Sequence, residues 1–376
     1  YLTDEYNTPR GQYGVEEAYQ KQLGNSDYPA NITLTLDYNL QQKGEQMLDD
    51  LMGDWKAEAA TLIVEDPKTG AILAMAQKPG FDPNTYSKAS LKTFLNQNIS
   101  SVYEPGSVFK ALTFAGALDA GKITPETTYR DTGSLSLSGY TIRNWDKKSY
   151  GTQTMVQVLE NSLNTGAAFI EKQLGPDLFL KYVKDFGFGA KTKIDLPGEV
   201  VGNVNNLKGF EQLHFATASF GQGIAVTPLQ LITSMSAIAN KGILMKPYVV
   251  DRIEHEDGTI EITQPSVTRR VLSEDAAKKS ADALVSVVNH GKIGVVPGYR
   301  VGGKTGTAQI PSLKGGYEEA YIHSFVGFAP AEDPKFIVLI KLVRPVGAPL
   351  SGMTVVPAFR ELTKFLLDYY SIPPIR

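Results

Sequence analysis

The chain has 376 residues, a formal net charge of −3 and no cysteine. This length can bury a large core and suggests either two domains or one domain with an insertion. The absence of cysteine excludes disulfides, thiolate catalysis and zinc–thiolate sites. Basic residues form no stripe interleaved with aromatic residues, so nucleic acid is not an expected partner, and no run of about 18 apolar residues predicts a membrane span.

The first predicted strands are 59–65 and 71–76. They are joined by Asp66-Pro67-Lys68-Thr69-Gly70, whose Asp, Pro and Gly are typical of a turn, so they predict a β-hairpin. Roughly 220 residues of mainly helical periodicity follow. The clearest helices there are followed by a glycine close to their ends, as expected at a helix C-terminus. They are predicted at 107–120, 156–173 and 228–241.

Strand patterns return only near the end of the chain, at 299–309, 323–330 and 336–343. A helix at 358–370, with Phe359, Leu362, Phe365, Leu366 and Tyr369 on one face, is expected to pack on the sheet. The pattern predicts an α+β fold, in which a five-stranded antiparallel sheet is flanked by helices and carries a large, mainly helical insertion. A sheet lobe of about 31–80 and 299–376 would face a helical lobe of about 81–298 across a cleft.

Ser107-Val108-Phe109-Lys110 follows Pro105-Gly106 at the start of an apolar helix. Residues three apart on a helix share a face, so the Lys110 amine can reach the Ser107 hydroxyl. An amine kept partly neutral by burial or by a nearby cation can take the serine proton and so produce a nucleophile. The alternative is a solvated helix start, because this short pattern also arises by chance.

Ser162-Leu163-Asn164 lies within the predicted helix 156–173. Ser and Asn are poor helix-interior residues, because their side chains compete for backbone hydrogen bonds. They indicate either a helix break or cap, or a functional pair in which a hydroxyl relays a proton and an amide binds a substrate peptide group. These residues alone leave both alternatives open.

Lys-Thr-Gly occurs twice. The copy at 68–70 lies in the hairpin turn, where Gly70 would supply the positive φ of a tight turn, and is predicted to be structural. The copy at 304–306 lies inside a strand, in Lys304-Thr305-Gly306-Thr307, and the glycines at 302, 303 and 306 indicate close approach of another group to its backbone. Such a strand edge could pair with an extended peptide and offer hydroxyls from Thr305 and Thr307 to a carboxylate.

In order and spacing, these three motifs resemble the Ser-x-x-Lys, Ser-Asp-Asn and Lys-Thr-Gly signatures of penicillin-recognising serine enzymes. The flanking sequences are similar to those of the transpeptidase domain of class B, monofunctional penicillin-binding proteins. They are Tyr103-Glu104-Pro105-Gly106, Ile142-Arg143-Asn144-Trp145 and Phe220-Gly221-Gln222-Gly223. The similarity covers about residues 31–376, and residues 1–30 are expected to be a residual pedestal or linker segment. Asn164 favours the division-type branch over the elongation branch.

The resemblance implies a peptidoglycan D,D-transpeptidase that cross-links D-Ala-D-Ala stem peptides and is inhibited covalently by β-lactams. Its catalytic residues would be the nucleophile Ser107, the base Lys110, the proton relay Ser162 and the electrostatic residue Lys304. Its substrate-binding residues would be Asn164, Thr305, Gly306 and Thr307, and the N–H groups of Ser107 and Thr307 would form an oxyanion hole. No cofactor or metal is implied, and the four histidines are expected to be structural.

Several alternatives to a transpeptidase stay open. A D,D-carboxypeptidase would use water as acceptor, a non-catalytic domain would only sense β-lactams or wall peptides, and a β-lactamase would need a deacylating base that the sequence does not reveal. The implied partners are peptidoglycan stem peptides, β-lactams and a membrane glycan polymerase. The implied location is the outer face of the cytoplasmic membrane, reached through an N-terminal anchor that is absent from this chain.

Overall fold

The computed structural model of the chain describes residues 2–3, 9–24, 30–209, 211–312 and 314–374, so part of the predicted 1–30 segment lies outside the described residues. The strands are β1 (Leu2–Thr3), β2 (Pro9–Arg10), β3 (Asn31–Leu34), β4 (Ala59–Glu65), β5 (Ile72–Lys78), β6 (Thr128–Asp131), β7 (Ser134–Leu137), β8 (Tyr140–Arg143), β9 (Gly151–Thr154), β10 (Ile243–Met245), β11 (Val250–Glu254), β12 (Ile260–Ile262), β13 (Val267–Arg270), β14 (Gly302–Pro311), β15 (Tyr317–Ala329) and β16 (Phe336–Val343).

Twelve α-helices are assigned within the described ranges. They are α1 (Gly14–Ala18), α2 (Gln20–Leu23), α3 (Tyr38–Trp55), α4 (Gln97–Ser100), α5 (Phe109–Asp119), α6 (Met155–Glu160), α7 (Asn164–Leu174), α8 (Pro176–Asp185), α9 (Gln212–Ala218), α10 (Pro228–Ala239), α11 (Glu274–Gly291) and α12 (Val355–Tyr369). Short 3-10 turns cover Pro83–Lys88, Leu91–Phe94, Gly106–Val108, Asn205–Lys208 and Ser351–Met353. In this part of the chain, none of the helices combines the length and the apolar character that crossing a membrane requires.

The five-stranded sheet has the order β14-β15-β16-β4-β5, and every neighbouring pair is antiparallel. The pairing of β16 with β4 joins the late strands to the early hairpin, with Lys341 opposite Thr61. The predicted α+β fold class is therefore confirmed. β14 spans 302–311 rather than 299–309. β15 begins at 317 rather than 323, because the two strands pair further towards their connecting turn than the sequence pattern indicated.

One face of this sheet packs against α12. On this face, Phe325 and Ile340 lie in an apolar cluster with Phe359 and Leu362 of α12. The predicted packing of this helix on the sheet is thus confirmed. The exception is Tyr369, which is 40% exposed and donates its hydroxyl to Asp37, because a tyrosine near a helix end can keep its polar tip in water.

The insertion contains α4 to α11, and also short strands that the helical periodicity did not predict. β6 pairs with β9, β7 with β8 and β10 with β13, while β11 pairs with β12 and β3. The prediction of one helix at 156–173 is wrong, because the chain breaks between α6 and α7 where Ser162 has a φ of 53°. The predicted glycines after three helices, Gly121, Gly175 and Gly242, all have positive φ.

Glycines let the start of α5 lie directly against β14. A Cβ on Gly306 would collide with Ser324 Oγ on β15, and it would lie 2.8 Å from the carbonyl oxygen of Pro105 and 3.0 Å from Val108 Cγ2. The glycines predicted that another group lies close to the backbone of β14. At Gly306 this group is the protein's own turn Gly106–Val108. Gly302 and Gly303 likewise make room for the rings of Phe328 and Phe325 on β15.

This packing predicts that Gly306→Ala will push the turn Gly106–Val108 away from β14. We expect a loss of about 1–3 kcal/mol in the free energy of unfolding, because neither the Pro105 carbonyl nor Val108 can retreat easily. Chemical denaturation measures this loss. Gly53→Ala in α3 is the matched control, because its Cβ would meet no atom within 4 Å, and we expect it to be neutral or to stabilise the helix. Equal effects in the two variants would contradict the prediction.

Candidate active site

The first motif lies at the start of α5. Ser107 is half-buried in the turn Gly106–Val108, and Lys110 is the second residue of the helix, where it is 1% exposed. Lys110 Nζ donates to the carbonyl oxygen of Ser162 at 2.6 Å and to Ser162 Oγ at 3.2 Å. Within the described residues, none of its hydrogen bonds goes to Ser107. The amine that the sequence pairs with Ser107 is therefore held by the second motif.

The third motif reaches the same hydroxyl from the sheet. Lys304 on β14 is 1% exposed, and its Nζ donates to Ser162 Oγ at 3.0 Å. One serine hydroxyl thus lies within hydrogen-bonding distance of two buried lysine amines. The three motifs, which are far apart in the sequence, meet at Ser162.

Burial changes the protonation of both amines. Desolvation lowers the pKa of Lys304 from 10.5 to about 7. Desolvation, and then repulsion by the Lys304 charge, lower the pKa of Lys110 well below 10.5. Loss of one proton removes one buried charge and the repulsion between the two amines. The lysine pair therefore favours a single positive charge near neutral pH. Ser162 Oγ can then accept a hydrogen bond from the charged amine and donate its own proton to the neutral one.

The break between α6 and α7 orients Ser162. Its φ of 53° is in the left-handed region, which costs a non-glycine residue about 1 kcal/mol. The backbone N–H groups of Ser162 and Leu163 still bond to the end of α6, at Leu159 O (3.2 Å) and Val158 O (2.9 Å). Both the carbonyl and the hydroxyl of Ser162 therefore face Lys110, so the helix break is also what brings the second motif to the first.

Asn164 begins α7 beside a buried polar cluster that the sequence reasoning did not find. Its Nδ2 donates to the carbonyl oxygen of Arg143 at 2.8 Å. Behind it, the carboxylate of Asp131 accepts from Thr165 Oγ1 at 2.7 Å and from Asn144 Nδ2 at 3.0 Å. These bonds tie the first turn of α7 to the loop after β8. In the sequence, Asn144 is part of a segment similar to the family, but no motif or spacing indicates that it bonds to Asp131.

Thr305 and Thr307 lie on the edge strand β14 and are both half-buried. Thr305 Oγ1 is 3.5 Å from Lys304 Nζ, whereas Thr307 Oγ1 is 3.0 Å from Ser351 Oγ and accepts from the Ser351 N–H at 3.2 Å. Gly306 contributes through its missing side chain, as described above. Among the described residues, β14 pairs with a strand of the sheet only on the side of β15.

Glu104 is a further residue whose role the sequence reasoning missed. It is 9% exposed, and its carboxylate accepts from the Gly223 N–H at 2.8 Å and from the Tyr317 hydroxyl at 3.1 Å. Burial raises the pKa of Glu104. It links the segment before Ser107 to the glycine-rich loop at 220–223 and to β15. Elsewhere in the described ranges, no group of three or more His, Asp or Glu side chains is arranged to hold a metal ion.

Comparison with known proteins shows the family of the chain. The family model described as the penicillin binding protein transpeptidase domain matches residues 60–364. Stage V sporulation protein D of Bacillus subtilis is 38% identical over 336 residues, which are 86% of this chain and 51% of that protein. The peptidoglycan D,D-transpeptidase FtsI homolog of Mesostigma viride is 31% identical over 374 residues, or 91% of this chain and 62% of that protein. The chain thus spans between half and two thirds of these relatives.

A solved structure is similar over nearly the whole chain. Penicillin binding protein 3 of Mycobacterium tuberculosis, in complex with ampicillin, superposes with a TM-score of 0.91 at 28% identity. The match covers 99% of this chain and 87% of that one. The fold of the present chain is therefore that of a protein whose complex with a β-lactam has been determined.

The strained backbone of Ser162 predicts a small effect on stability and a large one on reactivity. In Ser162→Gly the positive φ becomes unstrained, which offsets the loss of the Oγ bonds to Lys110 and Lys304, so we expect the free energy of unfolding to change by less than about 1 kcal/mol. The shared hydroxyl is lost, so covalent reaction with penicillin should slow by at least about tenfold. Thermal unfolding and the labelling rate measure the two effects, and an unchanged rate would contradict the shared role of this hydroxyl.

The lowered pKa of Lys304 predicts a pH-dependent stability. Between pH about 7 and 10.5 the unfolded chain binds a proton at Lys304 that the folded state does not, so this group makes the free energy of unfolding rise with pH. The slope is at most about 1.4 kcal/mol per pH unit. Lys304→Met should lose this contribution, as denaturation at several pH values would measure.

The other Lys-Thr-Gly copy supplies the control. Lys68 is exposed and pairs with Asp333 on the surface. Lys68→Met should therefore leave the slope between pH 7 and 10.5 as it is in the parent chain. If both variants keep the parent dependence of the free energy of unfolding on pH, the prediction is wrong, and Lys304 keeps its proton in the folded state between pH 7 and 10.5.

Proposed function

The chain belongs to the penicillin-binding protein transpeptidase family, and we propose that it is a peptidoglycan D,D-transpeptidase that works through an acyl-serine. One observation carries the proposal: two buried lysine amines, from α5 and β14, meet at one serine hydroxyl beside the turn that holds Ser107. Such a pair can remove and return protons without a histidine. The substrate class is inferred from the relative of Mesostigma viride that is named a peptidoglycan D,D-transpeptidase.

In the first half-reaction, Ser107 Oγ attacks the carbonyl carbon between the two terminal D-alanines. Its proton passes to the neutral amine of Lys110 as the new C–O bond forms. Collapse of the tetrahedral intermediate breaks the C–N bond, and the leaving D-alanine nitrogen takes a proton through Ser162. The positive charge near Lys304 stabilises this exchange electrostatically. The stem peptide is then held as an ester of Ser107.

In the second half-reaction, the amine of a neighbouring stem peptide attacks the ester. Ser162 and Lys110 accept its proton, the C–O bond to Ser107 breaks, and the serine recovers its hydrogen. A new peptide cross-link is the product. The protonation state of the lysine pair is the same at the end as at the start, so no external acid or base is consumed.

The edge strand and the start of α7 would align the donor peptide. A backbone laid along β14 would hydrogen-bond as a sixth strand, with its acyl-side amide at Asn164. The hydroxyls of Thr305 and Thr307 would bind its terminal carboxylate, and the N–H groups of Ser107 and Thr307 would hold the oxyanion. A β-lactam would mimic the D-alanyl-D-alanine end and remain attached to Ser107. The structural relative in complex with ampicillin supports the binding of a β-lactam.

The cellular setting follows from the substrate. Stem peptides lie outside the cytoplasmic membrane, so the catalytic domain would act there, tethered to that membrane and next to a glycan polymerase that supplies new strands. Asn164 favours a role in division. These assignments of location, partner and cellular role are part of the proposal.

Two assays on the purified chain test the function. A fluorescent penicillin should label the protein covalently and stay bound, and a stem-peptide donor with an amine acceptor should release D-alanine and incorporate the amine. Release of D-alanine without amine incorporation would favour a D,D-carboxypeptidase. Stable labelling without turnover of the donor would favour a sensor, and rapid loss of the label would favour a β-lactamase.

Variants of the first motif make this proposal specific. Ser107→Ala should abolish labelling while the protein stays folded, because the attacking oxygen is gone. Lys110→Met should slow acylation by a factor of about 10² to 10⁴, the usual contribution of a general base. Lys172→Met, an exposed lysine on α7, is the matched control and should label at the parent rate. Labelling of the Ser107 variant would show that another residue is the nucleophile. A normal rate in the Lys110 variant would show that another group is the base.

A further inference from the structure

Thr307 is held from behind by a residue outside the three motifs. Ser351 begins the turn Ser351–Met353 that precedes α12, and it is 2% exposed. Its backbone N–H donates to Thr307 Oγ1 at 3.2 Å, and its own hydroxyl oxygen lies 3.0 Å from the same atom. Two polar groups of one residue therefore converge on the hydroxyl of Thr307.

These contacts can decide what the Thr307 hydroxyl offers to a ligand. A hydroxyl oxygen accepts two hydrogen bonds and donates one, whereas a carboxylate only accepts. If Ser351 donates through both its N–H and its O–H, both acceptor positions of Thr307 are filled. Within the described residues the Thr307 proton then has no partner. It is left for a ligand, and a carboxylate needs such a donor.

A second layer fixes the position of Ser351. The backbone N–H of Thr354 donates to the Ser351 carbonyl at 3.2 Å, and the Thr354 hydroxyl donates to it at 3.4 Å. His323 Nδ1 lies 2.9 Å from Thr354 Oγ1. Because the Thr354 proton is directed at Ser351, its oxygen accepts from His323, which places the imidazole proton on Nδ1.

His323 is part of the same structural unit as Thr307. The two residues lie opposite each other in the β14–β15 ladder. His323 is fully buried, and within the described residues its Nε2 has no hydrogen-bond partner. Burial lowers the pKa of His323 to about 4, so the ring is neutral and has one proton to donate. An imidazole buried with one nitrogen unpaired is costly, and the bond it keeps is the one to Thr354.

We propose that Ser351, supported by Thr354 and His323, is a positioning residue that makes Thr307 a hydrogen-bond donor to the carboxylate of the acyl donor. This inference rests on the proposed function, in which Thr307 contacts that carboxylate. It adds a chain of hydrogen bonds that begins at His323 on the neighbouring strand β15 and reaches Thr307 through Thr354 and Ser351.

The test compares two probes that differ only in the carboxylate. The rate of Ser107 acylation is measured with benzylpenicillin and with its methyl ester, which keeps the reactive ring but has no charged carboxylate. Ser351→Ala should slow the reaction of the free acid by about 3- to 10-fold and that of the ester by less than about twofold. Ser351→Pro also removes the N–H, at a turn position that tolerates proline, and should lose more on the free acid.

Two further variants test the support from His323 without altering the turn. His323→Leu removes the donor to Thr354 and should reproduce the selective loss on the free acid. His323→Asn can offer an amide N–H in its place and should recover at least half of that loss. Thr363→Val is the matched control, because this buried hydroxyl of α12 has no hydrogen-bond partner within the described residues, and both rates should stay at the parent values.

The outcomes separate the two proposals. Equal losses on acid and ester, or unchanged rates on both, would overturn the role of Ser351. A parent protein that reacts with neither probe would instead contradict the proposed acyl-serine function. If the parent protein reacts with benzylpenicillin and its methyl ester at the same rate, Thr307 does not bind the carboxylate, and the inference is wrong. Melting temperatures measured for each variant identify any loss that reflects unfolding.

Discussion

Two lysine amines share one buried serine hydroxyl, and the rest of the site depends on this arrangement. Moving an ammonium group out of water costs several kcal/mol, so two of them in one crevice are unfavourable unless at least one gives up its proton. Lys110 and Lys304 are nevertheless both buried where they meet Ser162. Two amines and a hydroxyl thereby lie within hydrogen-bonding distance of one another. In the proposed mechanism they act as base, positive charge and proton relay, the work that a histidine does in other serine enzymes.

The crevice exists because three backbone segments approach without side chains between them. A Cβ on Gly306 would collide with the turn that holds Ser107. A Cβ on Gly221 would lie 2.6 Å from the nitrogen of Gly106, which itself donates to the Gly221 carbonyl. Glycines therefore set the distance between β14, the start of α5 and the loop at 220–223. A single added methyl group would widen the gap across which the lysines must reach.

Buried polar residues hold the site from behind. Asp131 and Asn144 fix the first turn of α7, and Glu104 links the segment before Ser107 to β15. Ser351 bonds to the hydroxyl of Thr307 in the same way. Residues presented to the cleft thus lie at the ends of helices and on a sheet edge, where backbone alone gives little support. Hydrogen bonds from the protein interior give each of them one orientation.

The sequence by itself determined the strands of the main sheet, the glycines that end three helices, and the three motifs. These features depend on neighbours within one element, where period and spacing are fixed by backbone geometry. It could not determine that Lys110 and Lys304 both bond to Ser162, or that Ser351 bonds to Thr307. Such contacts join residues tens to hundreds of positions apart, and only the packing of the helices against the sheet decides which side chains meet.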